Sequence, residues 1–389
     1  MVTYNKIKFA SKKLVVILSD KITNIINKGE ITNRYYNPGN VFEEIHFLIL
    51  NDDKPDLKKL QIMVGSAKIF IYNLVKPNFF LSFGYNNFLI RKYTYKCISI
   101  VKEINPNLVR SFNNFLEGYL AYKIFKSLNI PYVISLHGVW DKDCLYTILH
   151  KVRRNLLKKY EQISLKNSHA VIAVYKPIIR YAKLYGACNV NLIYNIVNYN
   201  KNFNYKVLNS KFKLITVNRQ QIDKNPEKII NAIKDINCEY YLIGDGPYHE
   251  RLKKLTKKLK ITYKVHFIKS MDNADLTNFI TKFDVFISNN DVYGVSKGII
   301  EASLTGLPII TNFFPEGSSM DLNHNDFILC DNTTLGFKNA ILTLKNNFEL
   351  RKKYSLSSKN FAIKNFEPLI MENKTVNLYK QIIDKHNNV

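Results

Sequence analysis

Short apolar runs alternate with segments of helical period along almost the whole chain, and the alternation is broken only once. Such runs suit strands buried on both faces. Alternating them with helices is the mark of parallel βαβ units, because parallel neighbours need a crossover. Strands are expected at Leu14–Ser19, His46–Leu50, Ile69–Asn73, Leu108–Ser111, Tyr132–Leu136, Ala170–Val174 and Asn191–Tyr194. Helical patterns fill the intervals, for example Phe115–Leu128 and Thr147–Lys166. The break is the Asn- and Lys-rich stretch Asn198–Lys211, which has the composition of an interdomain linker. Strands are then expected at Leu214–Asn218, Tyr240–Ile243, Val265–Ile268, Val285–Ser288 and Pro308–Thr311. The helices between them are expected at Pro226–Ile236, Tyr248–Leu259, Ala274–Lys282 and Ser296–Leu304. A chain of 389 residues is too long for one ordinary core. The pattern therefore predicts an α/β protein of two doubly wound, Rossmann-like domains with a ligand cleft between their strand ends.

Composition narrows the class. Hydrophobic residues at 46% and aromatics at 13% exclude a mainly disordered chain. No apolar run approaches the ~18 residues of a membrane span. The basic N-terminus leads into an apolar stretch that ends at Asp20 without a small-residue cleavage site, which reads as a first strand in a cytoplasmic protein. Cys97, Cys144, Cys188, Cys238 and Cys330 are scattered without metal-like spacing, so reduced thiols are expected and no metal site. The net charge of +26 leans to the first half, where residues 1–200 hold 29 Lys and Arg against 12 Asp and Glu. Such a field suits nucleic acid, anionic lipid or phosphorylated substrates.

Four features of the second half fall in a fixed order. The strand ending at Asn218 runs into Arg219, a loop, and Lys224-Asn225-Pro226 at a helix start. Two cations at the carboxyl end of a strand suit a diphosphate, although an isolated Arg and Lys are more often plain surface charge. Next, Gly244-Asp245-Gly246 follows a strand, where glycine permits a tight turn and close backbone approach. A third strand leads into a polar loop containing Ser270, whose position suits contacts to a base although nothing in it demands them. Last, Tyr293-Gly294-Val295-Ser296-Lys297 turns into a helix carrying Glu301 within an otherwise apolar run. Ser296 is a good cap, and a helix N-terminus attracts anions. Glu301 needs a partner if buried, and a ligand hydroxyl pair or a structural ion pair would each serve.

Together these residues resemble the group 1, family 4 retaining glycosyltransferases of GT-B fold, most closely over Lys213–Asn312. The resemblance implies that Arg219 and Lys224 contact the donor diphosphate and that Glu301, in GIIEASLTGLPIITN, binds the donor ribose. It places Gly244, Ser270, Tyr293, Gly294, Val295, Ser296 and Lys297 along the donor. The first half is similar in INPNLVRSFNN and in IPYVISLHG, which ends on His137 near the sugar. The implied division is an acceptor-side domain at 1–200, a donor-binding domain at 201–366 and a C-terminal helix at about 367–389 crossing back to the first domain. Two departures stand out. Tyr293 replaces the first Glu of the family's pair, and Gly29 and Gly39 lie too far along to be its Gly-Gly loop. A degenerate, sugar-nucleotide-binding member is the alternative that these departures raise.

The implied activity transfers a hexose-type sugar from a nucleotide sugar to a glycan or lipid-linked acceptor with retention, in surface polysaccharide or glycolipid synthesis. It needs no metal and no cofactor beyond the co-substrate. The opposed carboxylates of a glycoside hydrolase are not evident, and the stabilising cations are. A basic helix at His150–Asn167 reads as a core-facing helix with a solvated exterior or as a contact to an anionic membrane surface, which would make the enzyme peripheral on the inner face. A nucleic-acid-binding protein is the rival of another class. Against it, the cations are spread over many helices and no recognition motif stands out.

Overall fold

The structure, a computed structural model, describes residues 12–78, 88–139, 148–203, 205, 211–291, 294–313 and 321–388, with the side chains of 148–154 and 156 outside the description. Among them the first half forms β1 (Lys13–Leu18), α1 (Ile22–Asn27), β2 (Glu44–Ile49), α2 (Leu57–Val64), β3 (Lys68–Asn73), α3 (Phe88–Ile104), β4 (Leu108–Phe112), α4 (Leu116–Leu128), β5 (Tyr132–Leu136), α5 (Ile148–Lys166), β6 (Ala170–Ala173), α6 (Lys176–Leu184) and β7 (Val190–Leu192). The strands join in the order β3-β2-β1-β4-β5-β6-β7, all parallel, with Lys13 opposite Glu44 and Leu14 opposite Leu108. The central runs are apolar because both faces are covered: Leu14, Val15, Val16 and Ile17 are fully buried.

The second half repeats the scheme with β8 (Lys213–Val217), α7 (Glu227–Ala232), β9 (Glu239–Ile243), α8 (His249–Lys258), β10 (Val265–Ile268), α9 (Asn273–Ile280), β11 (Val285–Ser288), α10 (Lys297–Thr305), β12 (Ile309–Asn312), β13 (Ile328–Cys330), α11 (Thr334–Asn346), α12 (Phe348–Phe366) and α13 (Pro368–Asn387). Its parallel order is β10-β9-β8-β11-β12-β13. In each sheet the winding direction reverses beside the first strand, between β1 and β4 and between β8 and β11, which places a crevice at those carboxyl ends. The two doubly wound sheets are the architecture expected, and α13 crosses back to the first. Its Glu372 pairs with Arg34 at 3.0 Å and its Tyr379 hydroxyl accepts from Arg110 at 2.7 Å. One apolar cluster runs from the first sheet through Ile299, Ile300 and Leu304 of α10 to Met371 and Ile383 of α13, so the halves share a core.

Helix α5 exposes Lys158, Lys159 and Lys166 and buries Leu157, Tyr160 and Leu165, as a core-facing helix with a solvated basic exterior does. No helix among the described residues is long and apolar enough to cross a membrane.

Candidate functional site

At the carboxyl end of β8 the chain leaves the sheet through Asn218, Arg219 and Gln220. Gly244, at φ +128°, closes against this loop: a Cβ there would lie 1.9 Å from the Asn218 carbonyl oxygen. Gly246 is crowded in the same way by the Gln220 backbone. The buried Gln220 locks the junction, donating from Nε2 to the Gly244 carbonyl at 2.7 Å while its Oε1 meets His249 Nδ1 at 2.9 Å. Both glycines are thus required by packing at a strand-to-helix turn. Arg219 is held exposed above this turn, and Lys224 sits half-buried in the short 3-10 turn that follows. Beyond β11, Asn289 donates to the Asn225 carbonyl and Asn290 exchanges two bonds with Asn312. Among the described residues, the side-chain oxygens of Asn218, Asn289 and Asn290 are buried without a partner.

Helix α10 delivers its N-terminus to the same place. Gly298 admits the close approach, since a Cβ there would meet the Val217 carbonyl oxygen at 2.6 Å. Ser296 caps the helix by accepting from the Ile299 N–H at 3.3 Å, and Gly306 ends it in the left-handed region. Glu301 lies one turn inside, only 7% exposed, and among the described residues its carboxylate accepts no hydrogen bond. Burial pushes its pKa up to about 7; Lys297 opposes the rise and Glu30 adds to it. A buried carboxylate without donors among the described residues is costly to charge.

The first half answers from across the cleft. Glu30 reaches Lys297, with Oε2 2.7 Å from Nζ. Burial raises the Glu30 carboxyl, but Lys297, helped by Lys28 and Lys224, outweighs it and leaves the group below its ordinary value. Burial pulls Lys297 down, yet Glu30 and Tyr35 prevail and raise it. The preceding Gly29, at φ +70°, accepts from the Asn273 N–H at 3.2 Å and has no room for a side chain against Asp272. Tyr175 covers Gly294. Asp321 accepts from the Lys176 N–H at 2.9 Å and the Tyr194 hydroxyl at 2.8 Å, a further tie between the halves.

His137, at the end of β5, stacks on Phe112 with centroids 5.8 Å apart. Burial, then the charges of Arg110 and Lys297, depress its pKa to about 3, and among the described residues its Nε2 is buried without a partner. It is a neutral imidazole. Arg110, buried on β4, donates from Nε to Ser135 Oγ at 2.9 Å and lies 4.5 Å from the Phe112 ring centre.

Of the residues expected from sequence, Lys297 comes within electrostatic reach of both Glu301 and His137, and Lys224 joins them through Glu30. Gly294, buried Val295 and Ser296 form the turn entering α10. Ser270 is exposed in the loop that meets Gly29, and Arg219 makes no ion pair among the described residues. Tyr293 lies outside the described residues. Sequence reading passed over Glu30, Arg110 and Asp321. Nothing local to Glu30 showed that it would meet α10. Glu30 and Glu301 flank Lys297, and Glu30 is held as an ion pair, unlike a nucleophile facing an acid.

The family model described as Glycosyl transferases group 1 matches residues 200–361, and that of Glycosyltransferase Family 4 matches residues 44–201. An uncharacterized glycosyltransferase of Methanocaldococcus jannaschii is 24% identical over 74% of this chain and 78% of its own length. Sucrose-phosphate synthase from Thermosynechococcus elongatus superposes with a TM-score of 0.74 at 12% identity, over 96% of this chain and 100% of that one. An Anabaena protein, HepE, in complex with UDP and glucose, does so with a TM-score of 0.72 at 15% identity, over 95% and 99%.

Proposed function

Since this chain belongs to the group 1, family 4 glycosyltransferases, with the GT-B fold, we propose that it moves a hexose-type sugar from a nucleoside diphosphate to a glycan or lipid-linked acceptor with retention of configuration. The observation that carries the reading is Glu301, a buried carboxylate at the cleft without donors among the described residues, one turn above a helix N-terminus and beside Lys297. Two adjacent hydroxyls of a donor ribose would satisfy both of its oxygens. The diphosphate then lies at the α10 N-terminus, where free N–H groups and the helix dipole favour anions. Arg219, Lys224 and Lys297 add charge there. These groups stabilise the phosphate as it departs, an effect typically worth a few kcal/mol per well-aimed donor.

His137 works as a neutral hydrogen-bonding group to the sugar or phosphate, because an imidazole with a pKa of about 3 carries no proton to give at neutral pH. The proton of the attacking hydroxyl passes to the departing phosphate. Uridine diphosphate is the first nucleotide to try, since the HepE structure contains it. Surface polysaccharide or glycolipid synthesis in the cytoplasm is the setting that this acceptor class implies.

The test is incubation with UDP-, GDP- and ADP-sugars, following nucleoside diphosphate release and the anomeric configuration of the product by NMR. An α-donor should give an α-linked product. A β-linked product sinks the retaining mechanism. Binding of a nucleotide sugar without turnover over a broad acceptor set would favour the degenerate, binding-only reading.

A further inference from the structure

A groove outside the donor cleft runs along α6, where that helix packs beside β7, the outermost strand of the first sheet. Among the described residues it is lined by Lys176, Ile179, Arg180, Lys183, Leu184 and Leu192. Its volume is about 590 Å³, a size usual for a ligand site. The side chains divide by type. Ile179 and Leu192 are half-buried and, with the exposed Leu184, give an apolar floor. Lys176, Arg180 and Lys183 stand at i, i+4 and i+7, the spacing of one helix face, over a rise of about 10 Å. Arg180 and Lys183 are exposed, and among the described residues neither has an acidic partner. No Asp or Glu occurs between Glu161 and Asp223, a segment that holds all six lining residues. From outside that segment, Asp321 reaches the backbone N–H of Lys176.

The groove has a direction. Because α6 follows β6, its first turn sits at the carboxyl ends of the parallel strands, and Tyr175, the residue before it, covers Gly294 at the turn entering α10. From there the row of cations leads away from the cleft along the sheet edge. We propose that this groove is a subsite for the acceptor, and that the acceptor is a saccharide chain carrying carboxylates or phosphates on successive units. Its reacting end lies in the cleft and its earlier units lie along α6. The rings turn their C–H faces to the apolar floor while their anions meet the three cations, whose stems extend that floor. A neutral glycan would leave the cations unused. No aromatic ring lines the groove among the described residues, which disfavours stacked nucleobases. Leu184 is its one exposed large apolar side chain, too little to enter a bilayer. The acceptor role rests on the proposed transfer reaction, whereas binding is measured without nucleotide.

The experiment is fluorescence anisotropy of the full chain with a labelled octamer of galacturonic acid, a phosphorylated dextran of similar length and neutral maltooctaose. Wild type should bind at least one anionic chain, and the neutral one at least ~tenfold more weakly; the two anionic arms decide between carboxylate and phosphate. Arg180→Glu/Lys183→Glu should weaken anionic binding at least ~tenfold through lost charge-assisted contacts. Its thermal midpoint and nucleoside diphosphate affinity should match wild type. Lys158→Glu/Lys159→Glu makes the same change of net charge on α5 and should bind within about twofold of wild type. Where a nucleotide sugar is turned over onto that chain, the α6 variant should raise the acceptor KM and leave kcat unchanged. Wild type that binds neither anionic chain overturns the proposal, as does an α5 variant that loses as much as the α6 variant. So does tighter binding, through Arg180 and Lys183, of a single-stranded oligonucleotide or of phosphatidylglycerol vesicles. A chain that binds the anionic saccharide and no nucleotide keeps the groove and removes the donor reading.

Discussion

Replacing Glu301 with Gln should stabilise the protein at and above neutral pH and leave it unchanged near pH 4.5, while weakening donor binding. Burial raises the Glu301 carboxyl from 4.5 to about 7 in the folded protein. In the unfolded chain it loses its proton near the ordinary value. Between those two pH values the folded state holds the extra proton, so stability falls as pH rises and levels off above about 7. At 1.36 kcal/mol per pKa unit, the penalty at pH 8 is about 3 kcal/mol. Gln keeps the shape and carries no charge, so the variant escapes that cost. For a chain of 389 residues whose halves share a core, the gain is worth roughly 4 °C in thermal midpoint. The assay is urea or thermal unfolding of both proteins at pH 5, 6, 7 and 8, and the difference should grow with pH and then flatten. A difference independent of pH, or a wild type that is the more stable at pH 8, would mean that the carboxylate is charged and satisfied in the folded protein. A substitution that raises stability and lowers ligand affinity is the behaviour of a group kept for function.

The other predictions are brief. His137 should show no imidazole titration between pH 5 and 8 by NMR, and a midpoint near 6.5 would mean that its site is wet. Gly244→Ala should destabilise by more than about 2 kcal/mol, through a positive φ and a Cβ pressed on the Asn218 carbonyl; a change under 0.5 kcal/mol in urea unfolding would contradict the packing described. The half-exposed Glu30–Lys297 pair should give a coupling of roughly 0.2–1 kcal/mol in a double-mutant cycle with Glu30→Gln and Lys297→Met. Lys297→Met should also weaken nucleoside diphosphate binding by tenfold or more in calorimetry, and an unchanged affinity would remove Lys297 from the diphosphate contacts.

Strands buried on both faces were the most legible elements, because a parallel strand under two helix layers must be nearly all apolar. Tyr132–Leu136, Val265–Ile268 and Val285–Ser288 begin and end where the pattern places them. The three-residue β13, with two of its residues only half-buried, and the six-residue α1 had too little periodicity to register. The site divides along the same line. The Ser296 cap, the crowded turn at Gly244 and the carboxylate in an apolar helix are local signals, readable from neighbours in the chain. Glu30 and Arg110 are not, because their partners Lys297 and Tyr379 lie 267 and 269 residues away. Only the closing of the two sheets, and the return of α13, bring those pairs together.

A donor diphosphate seated at α10 with its ribose hydroxyls on Glu301 is what calorimetric titration of nucleoside diphosphates into wild type, Arg219→Ala and Glu301→Ala measures. One nucleoside diphosphate should bind wild type, with each variant weakened at least tenfold while its thermal midpoint is not lowered. Undiminished binding in Glu301→Ala, or no nucleotide binding to wild type, would contradict it.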